Sequence, residues 1–481
     1  PYRLYTHGVH GIALSRGMTD AASCNDCHGS HRLQSANDPT SPIFRQNIPS
    51  TCSKCHNEVY QTYETGIHGQ AVVAGNRDAP VCIDCHGEHE IIPPSDPASP
   101  VSPRNISTTC SACHEDVRLT ERYGIPARRL VTYMDTYHGL ANKAGVPVVA
   151  NCASCHGAHD ILPSSDPRSS INKANIPATC GKCHPNAGVN FAKGSVHLTP
   201  VEKEGRIIDY VKRFYILLIV VTIGGMCLHN GLDFLRRLKD DYHRRKIHRE
   251  EGDEEAGEDR RYLRWTLGER IQHWILAVSF ITLAITGFAL KYPEAFWVAP
   301  LIKNGQAMDW RGIVHRIAAV IFIALSLYHV GYIVFTRRGR EQLKAMMWRR
   351  SDLREVRQML LVNTGLEKEP PAFDRFTYTE KSEYWALIWG GIVMGVTGLL
   401  LWFENTAMTY LPKWLLDVAT VVHLYEAWLA TLAIVVWHFY AVIFNPQVYP
   451  LNWSMMTGWL TEKEMAEEHP GEHKRLRDSD G

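Results

Sequence analysis

The sequence predicts a mostly α-helical protein in two parts: an N-terminal part of short helices and loops, and a C-terminal part of membrane-spanning helices. Three observations carry this prediction. Residues 1–200 contain a Cys-x-x-Cys-His motif six times and lack long apolar runs. From residue 211 onward there are five apolar stretches, four of which are long enough to cross a bilayer. Basic side chains cluster at alternate ends of those stretches.

Composition limits the possible functions. The 481 residues carry a net charge of +1, which gives no reason to expect a nucleic-acid partner. Cysteine is the informative residue type, because 12 of the 13 cysteines lie in the six motifs. The remaining one, Cys227, lies in an apolar stretch and is expected to be a buried small hydrophobic side chain.

The Cys-x-x-Cys-His motif is the attachment site of a c-type haem. Its two thiols add across the haem vinyl groups, and the histidine that follows is the proximal iron ligand. Zinc could also use paired cysteines, but it does not require a histidine after the second cysteine in every motif. The six predicted haem c sites are Cys24, Cys27 and His28; Cys52, Cys55 and His56; Cys82, Cys85 and His86; Cys110, Cys113 and His114; Cys152, Cys155 and His156; and Cys180, Cys183 and His184.

The six motifs belong to three copies of one repeat, each with two motifs and two further histidines. In each copy a leading His-Gly stands 14 residues before the first motif, and an inner histidine stands three residues after the first motif's own histidine. Repetition of this kind indicates one structural unit used three times. The leading histidines are His10, His68 and His138, and the inner histidines are His31, His89 and His159.

Two spare histidines for two irons meet the needs of a six-coordinate electron carrier. Each unit could use its own leading and inner histidines. Alternatively, each unit could borrow the leading histidine of the next, which adds His197 and drops His10. The residues common to both assignments are His31, His68, His89, His138 and His159.

Haem attachment also predicts a compartment. Haem c of this kind matures outside the cytoplasmic membrane, so residues 1–200 are expected to be a periplasmic hexahaem domain. With few apolar runs of its own, this domain would pack its short helices and loops on the haem faces. A signal peptide is expected to have preceded Pro1 and to have been removed.

The C-terminal part is expected to cross the membrane five times. Its first stretch is the shortest, and the alternative for it is a helix that lies in the membrane interface. Residues 211–235 would be a linking helix, and residues 266–445 would form a bundle of four helices. The five apolar stretches are Val211–Leu228, Ile271–Leu290, Ile313–Phe335, Trp385–Phe403 and Val418–Phe444.

Charge predicts the orientation of these helices. Many basic side chains follow the first and third stretches, beginning at Arg236 and Arg337, whereas the loops at the other ends hold few. By the positive-inside rule the basic segments are cytoplasmic and the N-terminal part lies outside. Residues 236–265 would then be a cytoplasmic linker, with a mobile acidic segment at Glu250–Glu258, and residues 446–481 a cytoplasmic tail.

Histidines inside membrane spans are costly and usually functional. The third stretch holds His315 and His329, and the fifth holds His423 and His438. Spacings of 14 and 15 residues rise about 21 and 22.5 Å along a helix and return to nearly the same face. This geometry suits two b-type haems stacked across the membrane, the outer one between His315 and His423. The candidates for the inner one are His273, His329 and His438.

Several short motifs in the C-terminal part carry a family resemblance. They are Glu269-Arg270-Ile271-Gln272-His273-Trp274, Thr286-Gly287, Arg311, His315-Arg316, Trp389-Gly390-Gly391, Thr397-Gly398-Leu399, His423 and His438. On these residues, the segment 262–445 resembles the cytochrome b subunit of respiratory formate dehydrogenases and membrane-bound nickel–iron hydrogenases. Residues 1–200 instead resemble multihaem c-type cytochromes with doubled Cys-x-x-Cys-His units.

The cytochrome b resemblance implies ligand pairs and a site for quinone. It implies that His273 and His438 bind the inner haem, that His315 and His423 bind the outer one, and that quinone reacts beside the inner haem. It leaves His329 without a role. That residue could line a quinone pocket, contact a haem propionate, help bind a third haem with His229, or make a polar contact between helices.

The predicted architecture is a haem-packed multihaem cytochrome c domain fused to a five-helix transmembrane bundle, made of one linking helix and a four-helix dihaem cytochrome b. Six haem c and two haem b would pass electrons between membrane quinone, either menaquinone or ubiquinone, and a periplasmic cytochrome or other redox protein. We therefore expect a quinone/quinol–cytochrome oxidoreductase, or its electron-transfer subunit, in a bacterial or archaeal cytoplasmic membrane. One alternative is a non-catalytic cytochrome anchor for other subunits of a respiratory complex, and another is a multihaem reductase with a catalytic c haem.

Overall fold

The computed structural model describes residues 1–146, 148–198, 203–251, 260–300 and 305–480, with the backbone alone for residues 203, 241–251, 305–306 and 479–480. The described part of the chain is mostly helical and contains one short antiparallel strand pair, which confirms the predicted class. It divides into two compact units. One comprises residues 1–206, 288–311 and 404–416, and the other comprises residues 207–287, 312–403 and 417–481. This division differs from a simple cut by chain order, because two segments between membrane spans belong to the unit of the N-terminal repeats.

The N-terminal repeats consist of short helices joined by loops. These helices are α1 (Tyr2–His7), α2 (Val9–Ser15), α3 (Cys24–His28), α4 (Ile48–Ser53), α5 (Asn57–Thr65), α6 (Ile67–Val73), α7 (Cys82–His86), α8 (Ile106–His114), α9 (Val117–Tyr123), α10 (Arg129–Met134), α11 (Tyr137–Lys143), α12 (Cys152–His156) and α13 (Ile176–Gly181).

Each leading His-Gly lies at a close backbone approach that repeats in all three copies. In the second copy, a Cβ on Gly69 would lie 2.2 Å from the carbonyl oxygen of Tyr63, so only glycine fits after His68. The Tyr63 hydroxyl donates to the carbonyl of Pro80, 2.7 Å away, which ties the leading segment to the start of the next motif. The first and third copies repeat both contacts.

The first motif of each copy is itself a one-turn helix. In α7, Asp84 accepts a hydrogen bond of 2.6 Å from the backbone N–H of Val81 and so caps the helix start. The helix ends at Gly87, whose φ of +83° favours glycine, and the equivalent glycines of the other copies have φ of +82°. This geometry explains why the first motif of each copy is followed by glycine.

The second compact unit contains most of each membrane-spanning helix. The helices of the C-terminal part, including those of its outer segments, are α14 (Lys203–Glu251), α15 (Leu267–Lys291), α16 (Gly305–Phe335), α17 (Arg337–Met346), α18 (Arg350–Asn363), α19 (Tyr378–Trp402), α20 (Glu404–Tyr410), α21 (Lys413–Ala433), α22 (Ser454–Thr457), α23 (Glu462–Glu468) and α24 (Pro470–Asp480). Five helical spans are long and apolar enough to cross a membrane, as predicted. They are Glu204–Asp240, Leu267–Lys291, Ala307–Phe335, Tyr378–Trp402 and Lys413–Phe444.

The first and last spans differ from the plain α-helices of the predicted lengths. The linking helix is longer than predicted, since its backbone is helical through Glu251. The expectation that Cys227 is buried is wrong, because its side chain is exposed on the outside of this helix, as a lipid-facing residue can be. The fifth span continues from α21 into π-helical turns at Ile434–His438 and Tyr440–Phe444. Of the acidic segment expected to be mobile, residues 252–258 lie outside the described residues.

Polar side chains join the helices of the second unit. Asp352 of α18 and Lys381 of α19 form a fully buried ion pair of 2.7 Å. Asn230 of α14 donates a 2.7 Å hydrogen bond to the carbonyl of Val436 in the π-helical segment. Strand β1 (Arg261–Leu263) pairs antiparallel with β2 (Trp459–Thr461), which ties the segment before α15 to the C-terminal tail.

Candidate functional site

Each of the six motif histidines lies opposite another histidine within the unit of the repeats. The two ring centres of each pair are 6.0–6.2 Å apart. The pairs are His28 with His89, His56 with His10, His86 with His159, His114 with His68, His156 with His197, and His184 with His138.

This separation fits two imidazoles on opposite sides of one metal ion. Two metal–nitrogen bonds of about 2.0–2.1 Å, with about 1.1 Å from each coordinating nitrogen to its ring centre, place the ring centres about 6.2–6.4 Å apart. Among the described residues, no three His, Cys, Asp or Glu side chains converge as a conventional protein metal site would require. The geometry therefore suits a group whose other ligands do not come from the protein, as in haem.

The pairs follow one rule in all copies. A leading histidine lies opposite the second motif of its own copy, as His68 does with His114. An inner histidine lies opposite the first motif of the preceding copy, as His159 does with His86. The last copy has no successor within the described repeats, and His197 takes that place opposite His156. The structure thus brings both His10 and His197 into pairs, and His31, which both predicted assignments included, pairs with no other described histidine.

Hydrogen bonds to ring nitrogens orient two of these histidines. Nδ1 of His184 lies 2.9 Å from Oδ1 of Asn405 in α20, and Nδ1 of His197 lies 3.0 Å from Oγ1 of Thr132. The Thr132 hydroxyl donates its own proton to the carbonyl of Arg128, so its oxygen accepts from Nδ1–H of His197. In both rings Nε2 is then the nitrogen with a free lone pair.

Burial favours the neutral form of three histidines that lie opposite motif histidines. It lowers the pKa of His68, His138 and His197 to about 4 each, with smaller contributions from neighbouring cationic groups. A neutral imidazole is the form that binds a metal ion. These three rings are therefore ready to act as ligands near neutral pH.

Inside the membrane spans, His273 of α15 and His438 form a seventh pair with the same separation of 6.2 Å. Nδ1 of His438 lies 3.2 Å from a carboxylate oxygen of Glu383 in α19. Nδ1 of His273 is buried and has no hydrogen-bond partner among the described residues. Of the three candidates for the inner site, these two lie together.

The outer candidates, His315 and His423, are each oriented by a hydrogen bond to a threonine hydroxyl. Thr286 of α15 donates its hydroxyl proton to the carbonyl of Thr282, and Nδ1 of His315 lies 2.8 Å from its oxygen. Thr397 of α19 likewise donates its hydroxyl proton to the carbonyl of Val393, and Nδ1 of His423 lies 2.8 Å from the hydroxyl oxygen of Thr397. Each hydroxyl therefore accepts from Nδ1–H, which leaves Nε2 as the unprotonated nitrogen that could bind iron.

The glycine after each threonine leaves room for the histidine ring. A Cβ on Gly287 would lie 3.6 Å from Cε1 of His315, and a Cβ on Gly398 would lie 3.3 Å from Cε1 of His423. The repeated Thr-Gly dipeptide thus both fixes the ring nitrogen and admits the ring.

His329 differs from these residues because both of its ring nitrogens are engaged. Nδ1 lies 3.0 Å from Oε1 of Gln272, and Nε2 lies 3.1 Å from the hydroxyl of Tyr384. His229, suggested as its partner on a third haem, instead has Nε2 2.6 Å from the Tyr378 hydroxyl. The described contacts therefore favour a polar contact between helices for His329.

Sequence reasoning missed the residues that orient the histidines. Thr286 and Thr397 were named only among the motifs of the family resemblance. The Thr-Gly dipeptide that recurs in two spans could have indicated that these threonines have a common role. Glu383, Thr132 and Asn405 gave no such signal, since single polar residues occur throughout the chain and only the fold brings them to a histidine.

Comparison with known proteins bears on the C-terminal part. Residues 264–459 match the family of prokaryotic cytochrome b561. The cytochrome b556(fdo) subunit of formate dehydrogenase from Escherichia coli (strain K12) is 24% identical over 219 residues, which covers 45% of this chain and 93% of that protein. The cytochrome b556 subunit of formate dehydrogenase from Haemophilus influenzae is 21% identical over 221 residues, which covers 45% of this chain and 84% of that protein. These similarities confirm the predicted cytochrome b resemblance, and the family match lies outside residues 1–200.

Proposed function

We propose that this chain, whose residues 264–459 are a membrane cytochrome b domain, passes electrons between membrane quinone and periplasmic redox partners through six haem c and two haem b. The observation that carries the proposal is the set of histidine pairs. Six pairs in the repeats and one in the spans have the separation that two axial ligands of one iron require.

The packing of the motif helices supports a path along the first three motifs and another between the fourth and fifth. α3 contacts α4, α4 contacts α7, and α8 contacts α12. The thiols of Cys52 and Cys82 lie within hydrogen-bonding distance, and so do those of Cys110 and Cys152. Since these cysteines are the predicted attachment points, groups bound at successive motifs would be neighbours.

The ligand count favours electron transfer over catalysis in the repeats. Each of the six motif histidines has a histidine opposite it, so with haem bound none of these sites would keep an open iron position for a substrate. A multihaem reductase would need one such position. The repeats are better suited to carry electrons than to reduce nitrite or a sulfur oxyanion.

The sixth motif is the expected point of exchange with the membrane part. Its histidine, His184, contacts Asn405 of α20, which lies between the fourth and fifth spans. Lys413, at the start of the fifth span, donates its backbone N–H to the carbonyl of Asn190 and its ammonium to that of Ser195. The repeats therefore hold the segment between these spans, which supports placing both on the periplasmic side.

In the spans, this chain's residues would hold two b haems in a fixed orientation. His315 and His423, each oriented by a threonine, would bind the outer haem, and His273 and His438 the inner one. When bound, the haems supply one-electron transfer. The protein would supply the ligands and a carboxylate, Glu383, that would strengthen His438 as a ligand by accepting a hydrogen bond from its Nδ1–H.

Quinone would react beside the inner haem, close to His273, His438 and the polar set of Gln272, His329 and Tyr384. Each electron exchanged there with the periplasmic haems would cross the bilayer through both b haems. Moving one charge across the membrane changes the free energy by about 2.3 kcal/mol per 100 mV. Turnover in liposomes with an external electron acceptor should therefore generate a membrane potential that a voltage-sensitive dye reports. Turnover without a potential would favour a quinone site at the outer face.

A second candidate function is that of an anchor subunit. The relatives named above are cytochrome subunits of formate dehydrogenases, which favours membership in a respiratory complex with other subunits. Purification in mild detergent, followed by identification of the polypeptides that accompany the chain, separates this role from that of a stand-alone oxidoreductase.

Haem analysis tests the main proposal directly. Acid–acetone extracts haem b and leaves covalently attached haem c, so the pyridine haemochrome of each fraction counts both kinds. We expect two haems in the extract and six on the protein. Fewer than five covalent haems would contradict the interpretation of the repeat.

A further inference from the structure

Within the second unit, three polar residues of the linking helix α14 contact the fifth span within two positions of His438. The contacts are between His229 and Trp437, whose ring centres are 4.9 Å apart, between the amide of Asn230 and the carbonyl of Val436 at 2.7 Å, and between Asp233 and the hydroxyl of Tyr440 at 2.7 Å. The backbone on both sides of His438 is therefore attached to α14.

His438 lies at the end of a π-helical turn, Ile434–His438. The backbone N–H of Phe439 donates to the carbonyl of Ile434, five residues earlier rather than the four of an α-helix. A π turn thus holds one more residue than an α turn, which changes the direction of the side chains that follow. Such turns are rare and are frequently found at functional sites. The direction of the His438 side chain therefore depends on the contacts that hold this turn.

In the conformation of this turn, the His438 ring reaches two other helices. Its centre lies 6.2 Å from that of His273 in α15, and its Nδ1 lies 3.2 Å from a carboxylate oxygen of Glu383 in α19. The side chain of His438 thus contacts α15 and α19, while its neighbours in the chain contact α14. Loosening the turn would move the ring relative to both His273 and Glu383.

Hydrogen bonds of defined direction hold the Asn230 amide, which is buried. A carbonyl only accepts, so the amide nitrogen of Asn230 faces Val436, and its oxygen faces Nδ1 of His229 at 3.2 Å. Nδ1 of His229 therefore carries a proton, and Nε2 of the neutral ring accepts from the hydroxyl of Tyr378 at 2.6 Å. The amide cannot turn over without breaking two of these bonds, so Asn230 is held as a donor to the π turn.

Charged groups fix α14 one turn further along. The buried carboxylate of Asp233 lies 3.0 Å from the guanidinium of Arg236 and 2.7 Å from that of Arg237. Arg236 also donates a 2.8 Å hydrogen bond to the side-chain oxygen of Asn363 in α18. Since Asp233 is paired in this way, it is a fixed acceptor for the hydroxyl of Tyr440, two residues after His438.

We propose that α14 positions His438 as a haem ligand, and that Asn230 is the positioning residue because its amide holds the π turn. The proposal rests on the assignment of the inner haem to His273 and His438 made above. The linking helix is then part of the inner haem site as well as the connection between the repeats and the cytochrome b bundle.

Asn230→Leu tests the proposal, because leucine is similar in size and cannot donate to Val436. A displaced His438 would have a weaker bond to iron or to Glu383, and either change favours ferrous iron. We expect the reduction equilibrium constant of the inner haem to rise by about threefold or more, which corresponds to ~28 mV for a one-electron couple. The measurement is a redox titration of the b-type α-band, in which the inner haem is the component missing from His438→Ala. Asn230→Gln keeps an amide donor and should return the potential toward that of the wild type.

Tyr215→Phe is the matched control. It removes the hydrogen bond between Tyr215 and Glu426, which joins the same two helices about 22.5 Å from Asn230 along α14. The inner component should keep its potential in this variant. An equal shift in both variants would show that general docking of α14 is responsible, and an unchanged potential in Asn230→Leu would also overturn the proposal.

A milder variant decides the outcome if Asn230→Leu does not retain both b haems. Loss of the inner haem alone supports the proposal. If both haems are lost, Tyr440→Phe, which removes only the hydrogen bond to Asp233, should raise the potential of the same component, and an unchanged potential would overturn the inference. Acid–acetone extraction of the same samples separates the two proposals. Two extractable haems without a shift that depends on Asn230 contradict only this inference, whereas a wild-type protein without extractable haem contradicts the proposed function.

Discussion

Replacing Thr286 or Thr397 by valine tests the outer haem site most sharply. Each hydroxyl accepts a 2.8 Å hydrogen bond from Nδ1–H of a proposed ligand, His315 or His423. This bond makes the imidazole more electron-rich and so favours ferric iron. Its loss should therefore raise the midpoint potential of the haem that the histidine binds.

The size of the shift follows from the free energy of one buried hydrogen bond. Such a bond contributes about 0.5–1.5 kcal/mol. For a one-electron couple, 59 mV corresponds to a tenfold change in equilibrium constant or about 1.4 kcal/mol, so the expected rise is about 20–65 mV. The measurement is a spectroelectrochemical titration of the b-type α-band, in which the two b haems appear as separate components.

The matched control is Thr431→Val. Thr431 lies on the same helix as His423, but its buried hydroxyl has no hydrogen-bond partner among the described residues, so no shift is expected. Because the two threonines hold the two proposed ligands of one haem, both variants should move the same component. Shifts in different components would show that His315 and His423 do not share a haem, and no shift in either variant would refute the role given to the hydroxyls.

The remaining predictions concern ligands, charge and packing. His438→Ala should lose one of the two extractable haems while His329→Ala keeps both, since both nitrogens of His329 are engaged; haem loss in His329→Ala would reverse their roles. Lys381→Met should destabilise the detergent-solubilised protein by about 3–5 kcal/mol, because it leaves the Asp352 carboxylate buried and unpaired. The double variant with Asp352→Leu should recover most of that loss in thermal unfolding, and an equally unstable double variant would contradict the argument. Gly69→Ala should cost about 1–3 kcal/mol through overpacking against a carbonyl and lower the covalent haem content, and normal haem content would show that the leading turn tolerates a Cβ.

The sequence by itself determined everything that depends on local spacing. Six Cys-x-x-Cys-His motifs, the 14-residue step from each leading histidine, and five apolar stretches are properties of neighbouring residues, and the structure contains the corresponding short helices and spans. The histidines of the spans could also be found in this way, because an ionisable residue in an apolar stretch is conspicuous.

The partner of each histidine in the repeats was decided by the tertiary structure. Nothing in the sequence around the leading and inner histidines distinguishes their partners. Even so, His68 lies opposite a motif histidine of its own repeat, and His89 lies opposite one of the preceding repeat. The reason is the junction between repeats. There a glycine of one repeat lets its backbone approach the loop that holds the inner histidine of the next repeat, and this contact places that histidine opposite the first motif of the earlier repeat. Spacing within one repeat contains no information about that contact. For the same reason the sequence placed His31 among the ligands of this chain, whereas His31 pairs with no other described histidine.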